Sequence, residues 1–186
     1  VSDFRNIVRA HIRTENHSDV FDEKVETTMH PIDRAVVFLD FDGVLHAVGV
    51  PAIDENFRLT GNPDLFVWRP IQGRLLAPYP MIGIIVSSDW RRLFDDAALV
   101  RLLGPLALRF AGMVECCGSS RSEQILAEVR RRGLKEWVAL DDHPSVVAAQ
   151  ATDPRFIACE SATGVSSVDV QRTLSARLAG LSLDEV

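Results

Sequence analysis

Short runs of consecutive apolar residues divide the chain. "AVVFL" at 35–39, "MIGIIV" at 81–86, "WVAL" at 137–140 and "FIAC" at 156–159 are too short for helices and show no polar face. Runs of this kind read as parallel strands, which are covered on both sides. Between them the periodicity turns helical. Residues 70–77, 90–103 and 121–132 read as helices; the last carries Ile125, Leu126 and Val129 on one face and ends at Gly133. Residues 167–179 predict a closing helix, with Ser166 or Ser167 as its N-cap. "LRFAGMVE", 108–115, is a weaker strand or a loop, and "FRLT" (57–60) and "LFVW" (65–68) flank the turn signal "GNPD" as a small hairpin. Strands alternating with helices predict an α/β fold: a Rossmann-like parallel sheet with helices on both faces.

Residues 1–33 break this pattern. They are polar and charged, with Phe4, Ile7, Val8 and Ile12 at helical spacing, so they predict an extension that is partly helical or disordered. The domain proper is expected over 34–186. The whole chain of 186 residues fits one domain, and 47% hydrophobic with 25% charged residues is an ordinary soluble composition. No apolar run approaches the ~20 residues that span a bilayer, so no membrane partner is expected. The first residues lack the apolar core of a secretory signal. Three cysteines, with Cys116 and Cys117 adjacent, make neither a disulfide framework nor a zinc site, and a reducing cytoplasm is the expected setting. The net charge of −6 gives no global attraction to nucleic acid.

The chemistry collects where strands end. Asp40 and Asp42 follow the first run, Ser87 and Ser88 the second, and Asp141 and Asp142 close the third. In parallel α/β sheets, sites form outside the carboxyl ends of the strands. Several carboxylates at one edge need a counter-charge. All-oxygen donors without His or Cys favour a hard divalent ion, Mg2+ before Zn2+, which shares its shell with substrate phosphate. One Asp of such a set can attack phosphorus covalently and a second can handle protons. A hydroxyl such as that of Ser88 can hold the phosphoryl oxygens. Read singly, each motif has a plainer meaning: Asp141–Asp142 can cap a helix and Ser87–Ser88 can end a strand. A calcium loop starting at Asp40 fails, because Gly43 falls at its fourth position and Pro51 stands where a Glu is required. The conjunction of three such strand ends, in order, favours a site.

"VVFLDFDGVL" resembles the first motif of the haloacid dehalogenase-like (HAD) hydrolase superfamily, an apolar strand followed by Asp-x-Asp-Gly-x-(Thr/Val)-Leu. "IGIIVSSDWRR" resembles its second motif and "WVALDD" its fourth, so the likeness covers about 34–180. "SSDWR" and the "RSEQI…ALDD…TGVS" arrangement look most like the small HAD domains of bacterial proteins and RNA-repair assemblies. The resemblance implies a Mg2+-dependent phosphatase. Asp40 would be the nucleophile and a metal ligand. Asp42 would be the general acid and base, its backbone carbonyl also on the metal. Ser88 would bind a phosphoryl oxygen, with Ser87 as fallback, and Asp141 with Asp142 would complete the metal shell. The family's third motif is usually a Lys, and Lys135 comes too late for it. Arg121 is the expected substitute, with Arg91 or Arg92 as competitors; Arg is a planar clamp and not a point charge. Gly43, His46 and Trp90 flank these motifs and are candidate substrate contacts, as is His143 beside the fourth. Trp90 also suits packing. Asp89, Asp95 and Asp96 read as surface charge.

About 45 residues separate Asp42 from Ser88 and about 32 separate Ser88 from Arg121, too few for an inserted cap domain. A capless site is open to a phosphorylated macromolecule as well as to small esters. The expected function is hydrolysis of phosphomonoesters. A polynucleotide-end phosphatase and a non-catalytic HAD-fold binding or regulatory domain are the alternatives; net charge does not support the former and the intact aspartates oppose the latter. Haloacid dehalogenation itself does not need the second Asp of the pair.

Overall fold

The apolar runs become strands of one parallel sheet. The computed structural model describes residues 35–50, 61–115 and 118–181. Its strands are β1 (Val36–Leu39), β2 (Gly83–Val86), β3 (Phe110–Met113), β4 (Trp137–Asp141) and β5 (Phe156–Ala158), in the order β3-β2-β1-β4-β5. Five α-helices are described: α1 (Arg69–Leu76), α2 (Asp96–Leu103), α3 (Arg121–Arg132), α4 (Pro144–Gln150) and α5 (Val168–Leu181). The α/β, Rossmann-like reading of the sequence holds.

Period-two alternation in the strands feeds two cores. Val37, Leu39, Ile84, Val86, Val138 and Leu140 pack on the side of α1, α2 and α5, against Leu76, Leu99, Leu103, Leu174 and Leu178. Val36, Phe38, Ile85, Trp137 and Ala139 face the other way, onto Ile125 of α3 and Val146 of α4. The ring of Trp137 meets Phe38 and Phe156 edge-on. Burying both faces excludes polar residues from the strands and leaves only their ends for chemistry.

The register decides which ends meet. Leu39 of β1 pairs with Val86 of β2 on one side and Leu140 of β4 on the other. The next residues, Asp40, Ser87 and Asp141, therefore lie at one level. β1 is also where the strand order reverses, which is where parallel sheets open a crevice.

Three local expectations change. Residues 65–68 form a turn, not a strand, and lead directly into α1; the partner segment 57–60 lies outside the described residues. The helix expected over 90–103 is two pieces: a 3-10 turn at Asp89–Arg92, then α2. Asp95 divides them by accepting from the Ala98 N–H at 2.8 Å, so it is an N-cap and not idle surface charge. The short helix α4 is an addition that the periodicity does not signal; Pro144 opens it, and the His143 ring accepts from the Ser145 N–H. Residues 1–33, their expected helix, and Cys116 with Cys117 lie outside the described residues.

Candidate active site

Asp40 leaves β1 with its backbone tied to the neighbouring strand: its N–H donates to the Leu140 carbonyl at 3.1 Å. Asp40 is 5% exposed and Asp141 is wholly buried. Asp142 is half-buried one residue on. Asp40, Asp141 and Asp142 each offer an oxygen within 4.8 Å of the others. Gly43 explains how Asp142 fits. It has a φ of +69°, and a Cβ there would lie 2.2 Å from Asp142 Oδ2. Its place in the site is thus to make room for a carboxylate. Ser161 Oγ, from the loop after β5, donates to Asp142 Oδ2 at 2.5 Å.

Arg121 is the first residue of α3 and is buried. A capping box between Ser120 and Glu123 fixes that helix start and so aims the side chain. Its guanidinium lies 3.9 Å from Asp40 Oδ1, 3.7 Å from Asp141 Oδ2 and 3.4 Å from Asp89 Oδ2. Its Nη1 is buried without a hydrogen-bond partner. The competing arginines are placed otherwise. Arg91 donates to the carbonyls of Ser87, Ser88 (2.7 Å) and Val114 (3.0 Å) and to Gln124 Oε1 (2.6 Å). Its donors hold the end of β2 together. Arg92 is half-exposed and pairs with Asp89 at 3.3 Å. Asp89 is therefore more than surface charge: it touches all three arginines at the site's rim.

Ser88 is buried, hydrogen-bonds the Asp40 carboxylate, and accepts from the Trp90 N–H at 3.4 Å as the cap of the 3-10 turn. Ser87 is also buried, and its hydroxyl has no partner.

Asp42 differs from the other acids. Its side chain is 41% exposed, and both oxygens are held from behind. The indole Nε1–H of Trp90 donates to Oδ2 at 2.7 Å, and His46 Nε2 lies 3.1 Å from Oδ1. His46 is fully buried and Trp90 is 5% exposed, and each turns a ring nitrogen to the Asp42 carboxylate. Their rings pack edge-on with Phe41 and Phe66. Phe66 takes a left-handed φ of 57° to enter that cluster, a strained conformation for a bulky residue. This is also why 65–68 cannot be a strand. The His143 ring faces Ser145, at 2.9 Å, while its backbone N–H donates to Asp141 Oδ1 at 2.9 Å.

The electrostatics call for a cation. Burial and the charge of Asp141 push Asp40 up to about 8, against the pull of Arg121. Burial likewise raises Asp141 to about 6. For Asp42 burial is outweighed by the His46 and Trp90 hydrogen bonds, which hold it below the ordinary range. The Cys159 thiol, buried beside the same acids, is pushed up to about 12. One guanidinium cannot neutralise three carboxylates, and Asp141 Oδ2 is buried with no hydrogen-bond donor. An all-oxygen set with an orphaned buried oxygen fits a hard divalent cation.

Asp89, Ser161 and Phe66 are the neighbours that sequence reading passed over. Asp89 had a signal, since it directly follows Ser87–Ser88. Ser161 and Phe66 reach the site only through long-range folding. Among the described residues no helix is long and apolar enough to cross a membrane. The family model described as HAD domain in Swiss Army Knife RNA repair proteins matches residues 36–170. Comparisons with curated proteins and with solved structures give no match.

Proposed function

The chain belongs to the family of HAD domains in Swiss Army Knife RNA repair proteins, and from that premise we propose that it hydrolyses phosphomonoesters through Asp40. One observation carries this reading: Asp40 is buried between a second acid and an arginine whose Nη1 has no hydrogen-bond partner. A buried, under-satisfied cation beside a carboxylate suits an incoming phosphoryl group.

Asp40 attacks phosphorus, forming an aspartyl-phosphate as the ester P–O bond breaks. The leaving oxygen keeps the electron pair of the broken P–O bond and takes a proton from Asp42; alone, Asp42 is held below the ordinary range, and the negative phosphoryl group bound beside it favours the protonated form. Asp42, now a carboxylate, takes a proton from the water that attacks phosphorus, and Asp40 is released with inorganic phosphate. Arg121 and Ser88 hold phosphoryl oxygens through both steps, with Ser87 as fallback. Asp40, Asp141, Asp142 directly or through water, and the Asp42 carbonyl would hold Mg2+, which would supply the positive charge that keeps these acids ionised and eases charge on the transferring group.

The catalytic domain is read as 34–186 and capless, in a cytoplasmic setting, with 1–33 as an extension. Among the described residues of 43–82, α1 is the one helix and there is no strand. The test is phosphate release from an aryl phosphate with and without Mg2+, wild type beside Asp40→Asn. Turnover only in the metal-loaded wild type supports the proposal. Equal activity in Asp40→Asn removes the nucleophile, and metal binding without turnover over a broad ester panel favours a binding domain.

A second reading, a polynucleotide-end phosphatase, is favoured by the family's description. Half-exposed Arg92 at the rim suits a nucleic-acid backbone, while the net charge of −6 opposes strong general attraction. A kcat/KM at least about tenfold higher on phosphorylated oligonucleotides than on aryl phosphates, falling with salt, would establish it.

A further inference from the structure

We propose that His46 and Trp90 are positioning residues, a two-donor clamp that fixes the Asp42 carboxylate for proton transfer to the leaving group. This rests on the reading of Asp42 as general acid. Trp90 Nε1–H can only donate, so the 2.7 Å contact fixes Oδ2 as an acceptor. His46 Nε2 sits 3.1 Å from Oδ1. Its other nitrogen, Nδ1, is buried without a partner. Nothing else in the described residues hydrogen-bonds the His46 ring, so its orientation serves Asp42.

The clamp is itself braced. Phe41, beside Asp42 in sequence, meets Phe66 at 5.4 Å and Trp90 at 5.8 Å between ring centres. Phe66 holds its left-handed backbone to reach His46 at 5.1 Å and Trp90 at 5.5 Å. Phe94 covers the far side of the indole. A carboxylate held at both oxygens and still 41% exposed keeps further lone pairs open on its exposed side. A free aspartate on a loop would have to give up rotational freedom at each turnover; this one has already lost it.

The clamp predicts a pattern that a merely structural role does not. General acid help matters most for a basic leaving group and least for one that departs as a stable anion. Trp90→Phe keeps a ring in the cage but removes the donor, and His46→Leu removes the other. Each should lower kcat/KM about 10- to 100-fold on an alkyl phosphate and only several-fold on a dinitrophenyl phosphate. Asp42→Ala should show the same trend more steeply. His46→Gln, which keeps an N–H donor, should recover most of the loss. A uniform loss across leaving groups in Trp90→Phe and His46→Leu, beside a steep trend in Asp42→Ala, overturns the clamp and spares the general acid. A flat response in Asp42→Ala overturns both. One readout needs no turnover. The Trp90 indole proton, followed by NMR, should be shifted downfield and slow to exchange in the wild type, and neither in Asp42→Ala. An indole proton that behaves alike in both proteins removes the clamp even if no ester is turned over.

Discussion

The two ends of helix α3 each hold a cluster of charge around a buried residue, Glu128 at one end and Arg121 at the other, and the two are built on opposite plans. At its C-terminal end Glu128, fully buried, accepts from Arg131 and Arg132 and from the Glu115 N–H at 3.2 Å. Arg132 also donates to the carbonyls of Ala111 (2.8 Å) and Met113 (3.0 Å), and Glu115 pairs with Arg131 at 3.3 Å. Two acids meet two arginines and the hydrogen bonds are direct. At the N-terminal end Arg121 stands 3.7 and 3.9 Å from acids that outnumber it, and buried atoms on both sides lack hydrogen-bond partners. A charge cluster that only holds the fold completes its own bonds. One left incomplete at a strand-end crevice is held ready for something else.

The sharpest way to break this contrast is to neutralise one acid in each cluster. Asp40→Asn should lower kcat by about 10⁴-fold or more, since it removes the nucleophile. In the metal-free protein it should also raise the melting temperature, because a buried, crowded carboxylate is gone. Glu128→Gln should do the reverse, costing about 1–3 kcal/mol by weakening the bonds that Arg131, Arg132 and the Glu115 N–H make to a buried carboxylate. Thermal melts in chelator, paired with phosphate release, check both signs. A destabilised Asp40→Asn would mean that the site cluster is structural after all.

Arg121→Gln comes next. It removes the cation but keeps a side chain with donors. Turnover should fall about 10²- to 10³-fold, in the range seen when one charge-stabilising donor is lost from an active site. Comparison with Arg92→Gln, at the rim, checks the assignment. An equal loss in the two would mean that Arg121 is not the phosphoryl clamp.

How the site folds is partly legible in the amino-acid sequence. The strands are, because residues covered on both faces must be apolar in an unbroken run. The extent of α3 is, because its apolar face and Gly133 bound it. The contact of Arg121 with Asp40 can be expected only from the family's motif order, since 81 positions separate them. The split of 90–103 follows from a local choice: Asp95 caps a new helix, while Trp90 turns away to bond Asp42. The aromatic and branched residues of 65–68 look like a strand by composition. Phe66 instead gives up extended backbone to put its ring against His46 and Trp90. Site-building forces outweigh local propensity there, and they act between residues far apart in sequence.

Stability against pH tests the contrast more gently. Asp40 is raised from 3.8 to about 8, and Asp141 to about 6. In that window the folded chain holds protons that the unfolded chain has released. Stability of the metal-free protein therefore falls as pH rises from about 4 to about 8, by a few kcal/mol from these groups. Saturating Mg2+ should remove most of the fall, and Asp40→Asn should flatten it without metal. Melting temperatures for the two proteins, with chelator and with Mg2+, give the four curves. A wild-type curve parallel to that of Asp40→Asn would sink the prediction.

The smallest effect comes from two glycines, one in each region. Gly43 follows β1 with a φ of +69°; Gly133 ends α3 with a φ of +64°. Alanine at either must adopt the left-handed backbone, at about 1–2 kcal/mol. Their surroundings differ. Nothing lies within 4 Å of a Cβ at Gly133, whereas a Cβ at Gly43 would overlap Asp142 Oδ2 at 2.2 Å. Asp142 would have to swing off its bond from Ser161 and out of the acidic cluster. Both variants should lose similar stability in chelator, but Gly43→Ala alone should weaken Mg2+ binding, about tenfold, as altered ligand support does at metal sites. Calorimetric titration with Mg2+ separates them. Equal Mg2+ affinities in the two variants would mean that Asp142 lies outside the metal's reach, and the cation would then rest on Asp40 and Asp141.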